Sequence, residues 1–346
     1  MVNPKFDLFK KTFIESTQKA AIAAFKKIQE LHKEYSDPES RDYKQSLRSD
    51  DLKALGRLID GAAVKAMQNV FENQSDFYIE IRGSEGRKDT RRDGIESPDL
   101  YGSYGPKDGI KVEIVNDAVE GTSFASRNIP GATSVLAASL NQNNGLIPTG
   151  NFDYMSKLFG PPQLKGKISL EISPTENFKI ALKELNIKNP ADLAVVILDR
   201  PRNSFEIESA QNLGLTTILI SGGDLTPSLL AVQDPKIIST LKNSKVPNSA
   251  KGLLVIGSGG WEEGIIAAAA AKALGGHAQG RIYSDDKEVI EQAKILETDE
   301  LVPADRESIL VSMTPITDDP WFGVSGVRED YKAQTICIIY KGMEIV

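Results

Sequence analysis

The chain is predicted to adopt an α/β fold whose N-terminal part is α+β, and three observations lead there. Residues 193–198, 216–220 and 252–256 (Leu-Ala-Val-Val-Ile-Leu, Thr-Thr-Ile-Leu-Ile and Gly-Leu-Leu-Val-Ile) are short apolar runs, each followed by polar or glycine-rich residues and then a helical stretch. That alternation marks buried, parallel strands joined by helices. Ahead of them, two amphipathic helical stretches precede two strand-like runs. The third observation is length: 346 residues are enough for roughly two domains of about 150 residues each, divided here into 1–165 and 166–346.

Taken in order, residues 6–31 carry Phe9, Phe13, Ala20, Ala24 and Ile28 at helical spacing with lysines between them, an amphipathic helix. Residues 36–49 are polar and contain Asp37-Pro38, a loop. A second helix is expected over 51–71, with Asp60-Gly61 in its middle. Glycine costs about 1 kcal/mol inside a helix, so either the helix starts afresh near Asp60 or something approaches closely there. Residues 77–82 and 111–115 read as strands separated by a charged stretch, 83–109, of a length usually reserved for function. The three later strands each run into chemically interesting residues: Asp199-Arg-Pro-Arg202, Ser221-Gly-Gly-Asp224 and Gly257-Ser-Gly-Gly-Trp-Glu-Glu-Gly264. In such sheets ligands collect at the carboxyl ends of the strands.

Composition excludes several function classes. A net charge of -7 provides no general attraction to nucleic acid or an anionic membrane, so neither is an expected partner and any anionic ligand must be held locally. Cys337 stands alone, which excludes an internal disulfide and agrees with a reducing cytoplasm. The only histidines are His32 and His277, which excludes thiolate and multi-histidine zinc sites. Metal chemistry would have to use carboxylates, which favour Mg²⁺, Mn²⁺ or Ca²⁺. The opening Met1-Val-Asn-Pro-Lys lacks the apolar core of a signal peptide, and no window approaches the roughly 20 apolar residues of a membrane span, so a cytoplasmic location is expected.

Several constellations carry potential chemistry. Asp117-Ala-Val-Glu-Gly-Thr122 places two carboxylates three residues apart beside a hydroxyl after an apolar strand; it reads as a cation-binding pair or as a polar turn. Asp60, Glu85 in Gly83-Ser-Glu-Gly86, and Glu263 are further acids, with plain readings as a helix N-cap, a loop charge and a first-turn charge against the helix dipole. The glycines before Ile265 suggest a phosphate cradle at a helix start, without a nucleotide-binding fingerprint. Arg200 and Arg202 flank Pro201 after a strand, a fork geometry suited to phosphate.

Together, the order Asp60-Gly-Ala-Ala-Val64, Glu85-Gly86, Asp117-Ala-Val-Glu-Gly-Thr122, Tyr154-Met-x-Lys157, Arg200-Pro-Arg202, Gly223-Asp224 and Gly259-Gly-x-x-Glu-Gly264 resembles class II fructose-1,6-bisphosphatases, some of which also cleave sedoheptulose-1,7-bisphosphate. The resemblance implies a layered α-β-α-β-α sugar-phosphatase fold related to inositol monophosphatase, with most metal ligands in 1–165 and the sugar-phosphate contacts and Glu263 in 166–346. It implies Asp60, Glu85, Asp117, Glu120 and Glu263 as ligands to Mn²⁺ or Mg²⁺, and Thr122 and Glu263 as catalytic residues. Glu120, Gly121, Thr122, Tyr154, Arg200, Pro201, Arg202, Gly223, Asp224 and Gly260 become substrate contacts. The implied partner is a small sugar phosphate, and the implied assembly a homodimer or homotetramer. Four departures from the family pattern point toward altered substrate choice or toward a non-catalytic binding paralogue. Ala118 replaces a proline, Arg87 a second carboxylate, Gly222 the first aspartate of Asp-Gly-Asp, and Trp261-Glu262 a small residue and a proline. Because of Arg87, Glu80 is an alternative to Glu85.

Overall fold

The structure is a computed structural model that describes residues 4–34, 49–84, 99–140, 144–147, 153–283, 294–340 and 342–346. The N-terminal helices form as the spacing predicts: α1 spans Pro4–Glu34 and α2 Ser49–Asn73. α2 runs unbroken through Asp60-Gly61, so Asp60 is a mid-helix residue and not an N-cap. Strands β1 (Phe77–Ser84), β2 (Ser103–Tyr104), β3 (Ile110–Glu120) and β4 (Thr133–Leu140) follow, with the short helix α3 (Thr122–Arg127) between β3 and β4. Then come β5 (Tyr154–Gly160), α4 (Pro174–Glu184), β6 (Leu193–Leu198), α5 (Ser204–Asn212), β7 (Thr216–Ile220), α6 (Leu225–Ala231), β8 (Gly252–Gly260), α7 (Trp261–Leu274) and β9 (His277–Tyr283). The chain closes through β10 (Leu296–Glu297), β11 (Ile309–Pro315), β12 (Ile336–Ile339) and β13 (Gly342–Ile345).

Two mixed sheets result, in the orders β13-β12-β11-β4-β3-β1-β2 and β10-β9-β5-β8-β6-β7. The expected parallel strands are present: β6 pairs in parallel with both β7 and β8. Sheet membership does not follow a division at residue 165, because β5 pairs with β8 and β9 in the second sheet while β11 to β13 return to the first. Thr314 and Pro315 are strand residues of β11 paired with β4.

Strand alternation sorts the apolar residues into three cores and so into five layers. Phe9, Phe13, Ala24 and Ile28 of α1 and Ile59 and Met67 of α2 pack on the outer face of the first sheet through Ile79, Ile114 and Leu136. The opposite face of that sheet, through Val115, Val135 and Val311, meets α6 and α7, which also meet Ala194, Val196 and Val255 of the second sheet. Val195, Ile197 and Leu254, on the far face, are covered by Phe178 of α4 and Ala210 of α5. α7 can lie between two sheets because it is apolar on all sides, and its run Ala267-Ala-Ala-Ala-Ala271 keeps both sheets close. Among the described residues no helix is long and apolar enough to cross a membrane.

His277, the first residue of β9, is fully buried, and neither ring nitrogen has a hydrogen-bond partner among the described residues. Burial, with the nearby Lys165 charge, pushes its pKa down to about 4. The unfolded chain therefore binds the proton more readily; the stability is complete above about pH 6.5 and is lost as pH falls toward 4. Asp319, buried and pushed up to about 6 despite amide hydrogen bonds from Trp321 and Phe322, acts in the opposite sense over the same window. Both groups are ordinary contributors to the pH profile, so a comparison that keeps Asp319 isolates the histidine. In urea unfolding at pH 7 and pH 4, the wild type should lose about 3 kcal/mol relative to His277→Leu. Equal losses would contradict the assignment.

Candidate active site

The site begins with an irregularity in β3. Asp117 pairs with Val135 of β4 and Glu120 with Thr133, so three steps on β3 match two on β4, a β-bulge. In a regular strand two residues three apart point to opposite faces. The extra residue cancels that: Val135 and Thr133 share a face, and so therefore do Asp117 and Glu120. Val135 belongs to the core between the sheets, so both acids face inward. They lie inside the strand and not in a turn after it, because the strand persists to Glu120. One Asp117 oxygen accepts from the Val119 amide at 2.9 Å, which holds the bulge closed.

Gly121 follows in the left-handed region (φ 79°), which turns the chain into α3 and brings Thr122 to its first position. The Thr122 hydroxyl donates to the Val119 carbonyl at 2.9 Å. Across from it lies α2: a Cβ on Gly56 would stand 2.8 Å from Thr122 Cγ2. Asp60, one turn further along α2, shares the Gly56 face and is therefore on the side of α2 that meets Thr122. Thus Asp60, Asp117, Glu120, Gly121 and Thr122 gather at one end of the first sheet.

The second sheet meets this end through Phe124. Its ring lies beside Gly121 and Gly131 and also beside Gly222 and Gly223, with a Gly223 Cβ placed 3.2 Å from the ring. Gly223, at φ 73°, carries the chain into Asp224, the residue that precedes α6. Asp224 forms a buried ion pair with Lys157 of β5 at 2.7 Å, and the Lys157 ammonium also donates to the Gly260 carbonyl at 3.2 Å. Gly260 is covered by the Glu263 carboxylate, which folds back from the first turn of α7 over the space a Cβ would need. The glycine-rich segment is therefore not a loop of exposed amides. It is the end of β8, and its missing side chains make room for charged neighbours.

Tyr154 of β5 stands beside Gly260 of β8 and beside Tyr283 of β9, the two rings 5.8 Å apart. The Arg202 guanidinium lies 4.9 Å from the Tyr154 ring, and its Nε donates to the Ser258 carbonyl at 3.1 Å. Ser258 also contacts the Tyr283 hydroxyl. Arg200 turns elsewhere, with its two terminal nitrogens donating to the Asp199 and Ser221 carbonyls. Pro201 opens the short turn that separates the two arginines.

Glu85 and Arg87 lie outside the described residues. Ser84, just before them, pairs with Asn116, one residue short of Asp117. Glu80 is level with Glu113, four residues and so about 13 Å of strand from Asp117. Burial works against its charge, but Arg82 and Lys111 bind it and hold its carboxyl below the usual range. It therefore belongs to an ion-pair network away from Asp117.

The acids have the chemistry of a hard-cation site. Asp117, Glu120, Asp224 and Glu263 are all buried, whereas Lys157 is the only buried lysine or arginine among the described residues. Buried acidic charge without matching basic charge is costly unless a cation joins it. One Glu263 oxygen is buried with no hydrogen-bond partner among the described residues. No three His, Cys, Asp or Glu side chains among the described residues converge closely enough to hold a metal by themselves.

The family model described as bacterial fructose-1,6-bisphosphatase, glpX-encoded, matches residues 53–344. The chain belongs to that family. Relatives named D-fructose 1,6-bisphosphatase class 2/sedoheptulose 1,7-bisphosphatase include one from Thermosynechococcus vestitus, 34% identical over 236 residues, which are 66% of this chain and 62% of the relative. Another, from Synechococcus elongatus, is 33% identical over 244 residues, 66% of this chain and 64% of the relative. The match thus spans less than two thirds of the length of these relatives.

Within this glpX-family site, motif reading passed over several residues. Lys157 stood in a quoted motif without a role; its signal is a charge set among Met155, Leu158 and Phe159 in an otherwise apolar run. Phe124, Ser258 and Tyr283 carry no such local signal, since their roles depend on which strands become neighbours.

The Gly56 contact is open to test. Gly56→Ala would ordinarily stabilise a helix by about 1 kcal/mol, but here its methyl meets the stiff Thr122 side chain. Gly56→Ala alone should therefore destabilise, while adding it to Thr122→Ser, which lacks the obstructing methyl, should stabilise by about 1 kcal/mol. Chemical denaturation of the four proteins measures both signs.

Proposed function

We propose that this chain hydrolyses a phosphate ester of a sugar bisphosphate with a divalent cation, converting fructose-1,6-bisphosphate to fructose-6-phosphate and phosphate. Sedoheptulose-1,7-bisphosphate, which the relatives' names include, is a second candidate substrate. One observation carries the reading: in a chain of this family, the buried Glu263 carboxylate at the start of α7 keeps one oxygen without a hydrogen-bond partner among the described residues.

Asp60, Glu85, Asp117, Glu120 and Glu263 are the residues that would hold Mn²⁺ or Mg²⁺. Such an ion supplies Lewis-acid polarisation of a phosphoryl oxygen. The chain's own groups do the rest. The Thr122 hydrogen is committed to the Val119 carbonyl, so its oxygen is left to accept from a water and orient it toward phosphorus. Among the described residues Arg202 donates through Nε to the Ser258 carbonyl, and its terminal nitrogens would grip the second phosphate. Arg200 is spent on two carbonyls and acts chiefly as an anchor of the turn. Asp224 and the Gly260 backbone face the sugar, and Tyr154 closes the wall beside them. A cytoplasmic setting and a homodimer or homotetramer complete the proposal; light scattering of the purified protein checks the assembly.

A second reading has its own observation. Gly222 has no side chain where the family pattern has an aspartate, and the Phe124 ring stands beside it. That apolar surface favours a different phosphorylated polyol or cyclitol, and a panel of phosphomonoesters discriminates the two.

Purified protein with Mn²⁺ should release phosphate from fructose-1,6-bisphosphate. Glu263→Gln should lower kcat by about 100-fold or more with little change in Tm. Absence of release from every sugar phosphate in the panel would overturn the hydrolase reading.

A further inference from the structure

Lys157 is a fully buried lysine in the centre of the second sheet, 1% exposed, and it is built into its surroundings. Its cross-strand neighbours on both sides, Gly257 and Gly280, have no side chains. Gly259 is equally constrained, since a Cβ there would overlap the Asp224 carboxylate and stand 2.8 Å from the Lys157 ammonium. The ammonium reaches two groups from different elements: the Asp224 carboxylate before α6, at 2.7 Å, and the Gly260 carbonyl at the end of β8, at 3.2 Å. Gly260 in turn lies under the Glu263 carboxylate. A lysine removed from water is costly unless paired and hydrogen-bonded, so this arrangement fixes its partners tightly as well.

We propose that Lys157 is a positioning residue that locks Asp224 and the Gly260 peptide into one unit, and so sets the sugar contact against the Glu263 carboxylate. This rests on the sugar-bisphosphatase reading above. Lys157 does not touch substrate; it acts through Asp224. Its removal should therefore matter only while Asp224 carries its charge.

The test is a double-mutant cycle with Lys157→Met, Asp224→Asn, the double variant and Lys157→Arg. Two readouts are followed: kcat and KM for fructose-1,6-bisphosphate with Mn²⁺, and calorimetric binding of fructose-6-phosphate. Lys157→Met should raise KM and the hexose-phosphate Kd by about tenfold or more, with Lys157→Arg recovering much of the loss. The double variant should be no weaker than Asp224→Asn alone. Because Lys157→Met leaves a buried carboxylate without its partner, it is the variant at risk of misfolding; the charge-balanced double variant then decides the matter against Asp224→Asn. A double variant clearly weaker than Asp224→Asn, or a folded Lys157→Met that binds as well as wild type, overturns the proposal. Wild-type phosphate release tests the parent reading separately. Hexose-phosphate binding without release would overturn the hydrolase reading while the cycle still decides on Lys157; neither release nor binding would overturn both.

Discussion

The constraint on which this molecule turns is the burial of carboxylates in the gap between two sheets. Asp117 and Glu120 reach it from β3, Asp224 from the residue before α6, and Glu263 from the start of α7. They are shielded from bulk water there, and among the described residues Lys157 is the only buried lysine or arginine. Each local peculiarity of the site answers that constraint. The bulge in β3 turns two acids to one face, Gly121 reverses the chain after them, and the glycines of β8 leave room for charged groups that a Cβ would displace.

The layers serve the same end. α7 lies between the sheets because its sides are apolar and small, and its first turn is thereby brought into the gap with Glu263. Phe124 is the mechanical link, with its ring against glycines from both sheets. Lys157 pairs with Asp224 in the second-sheet half, while Gly56 of α2 lies close against Thr122 in the first. Among the described residues the site is thus a joint between the ends of the two sheets.

Much of the fold was legible in the sequence because burial writes a local pattern. The apolar runs of β6 and β8, and the helical spacing of Phe9, Phe13 and Ile28, predict their elements, whereas β7 forms as a strand but lies at the sheet edge, half-buried with Leu219 exposed, and not buried as its apolar run implied. The ordered acids and arginines led to the family that the family model matches. Legibility failed where function departs from local rules. β3 continues through Asn116 and Asp117, polar residues that normally end a strand, and β8 continues through glycines that normally leave one. The return of β11 to β13 to the first sheet is a non-local pairing that no window of sequence contains. For the same reason Phe124 and Tyr283, whose neighbours come from distant strands, were invisible until the sheets were assembled.

Anomalous diffraction from crystals grown with Mn²⁺ measures the central claim most directly. The account predicts a manganese peak in the gap between the sheets, within coordination distance of carboxylate oxygens of Asp117, Glu120 or Glu263. A peak bound only elsewhere on the molecule, with those acids hydrogen-bonded to protein groups alone, would contradict it.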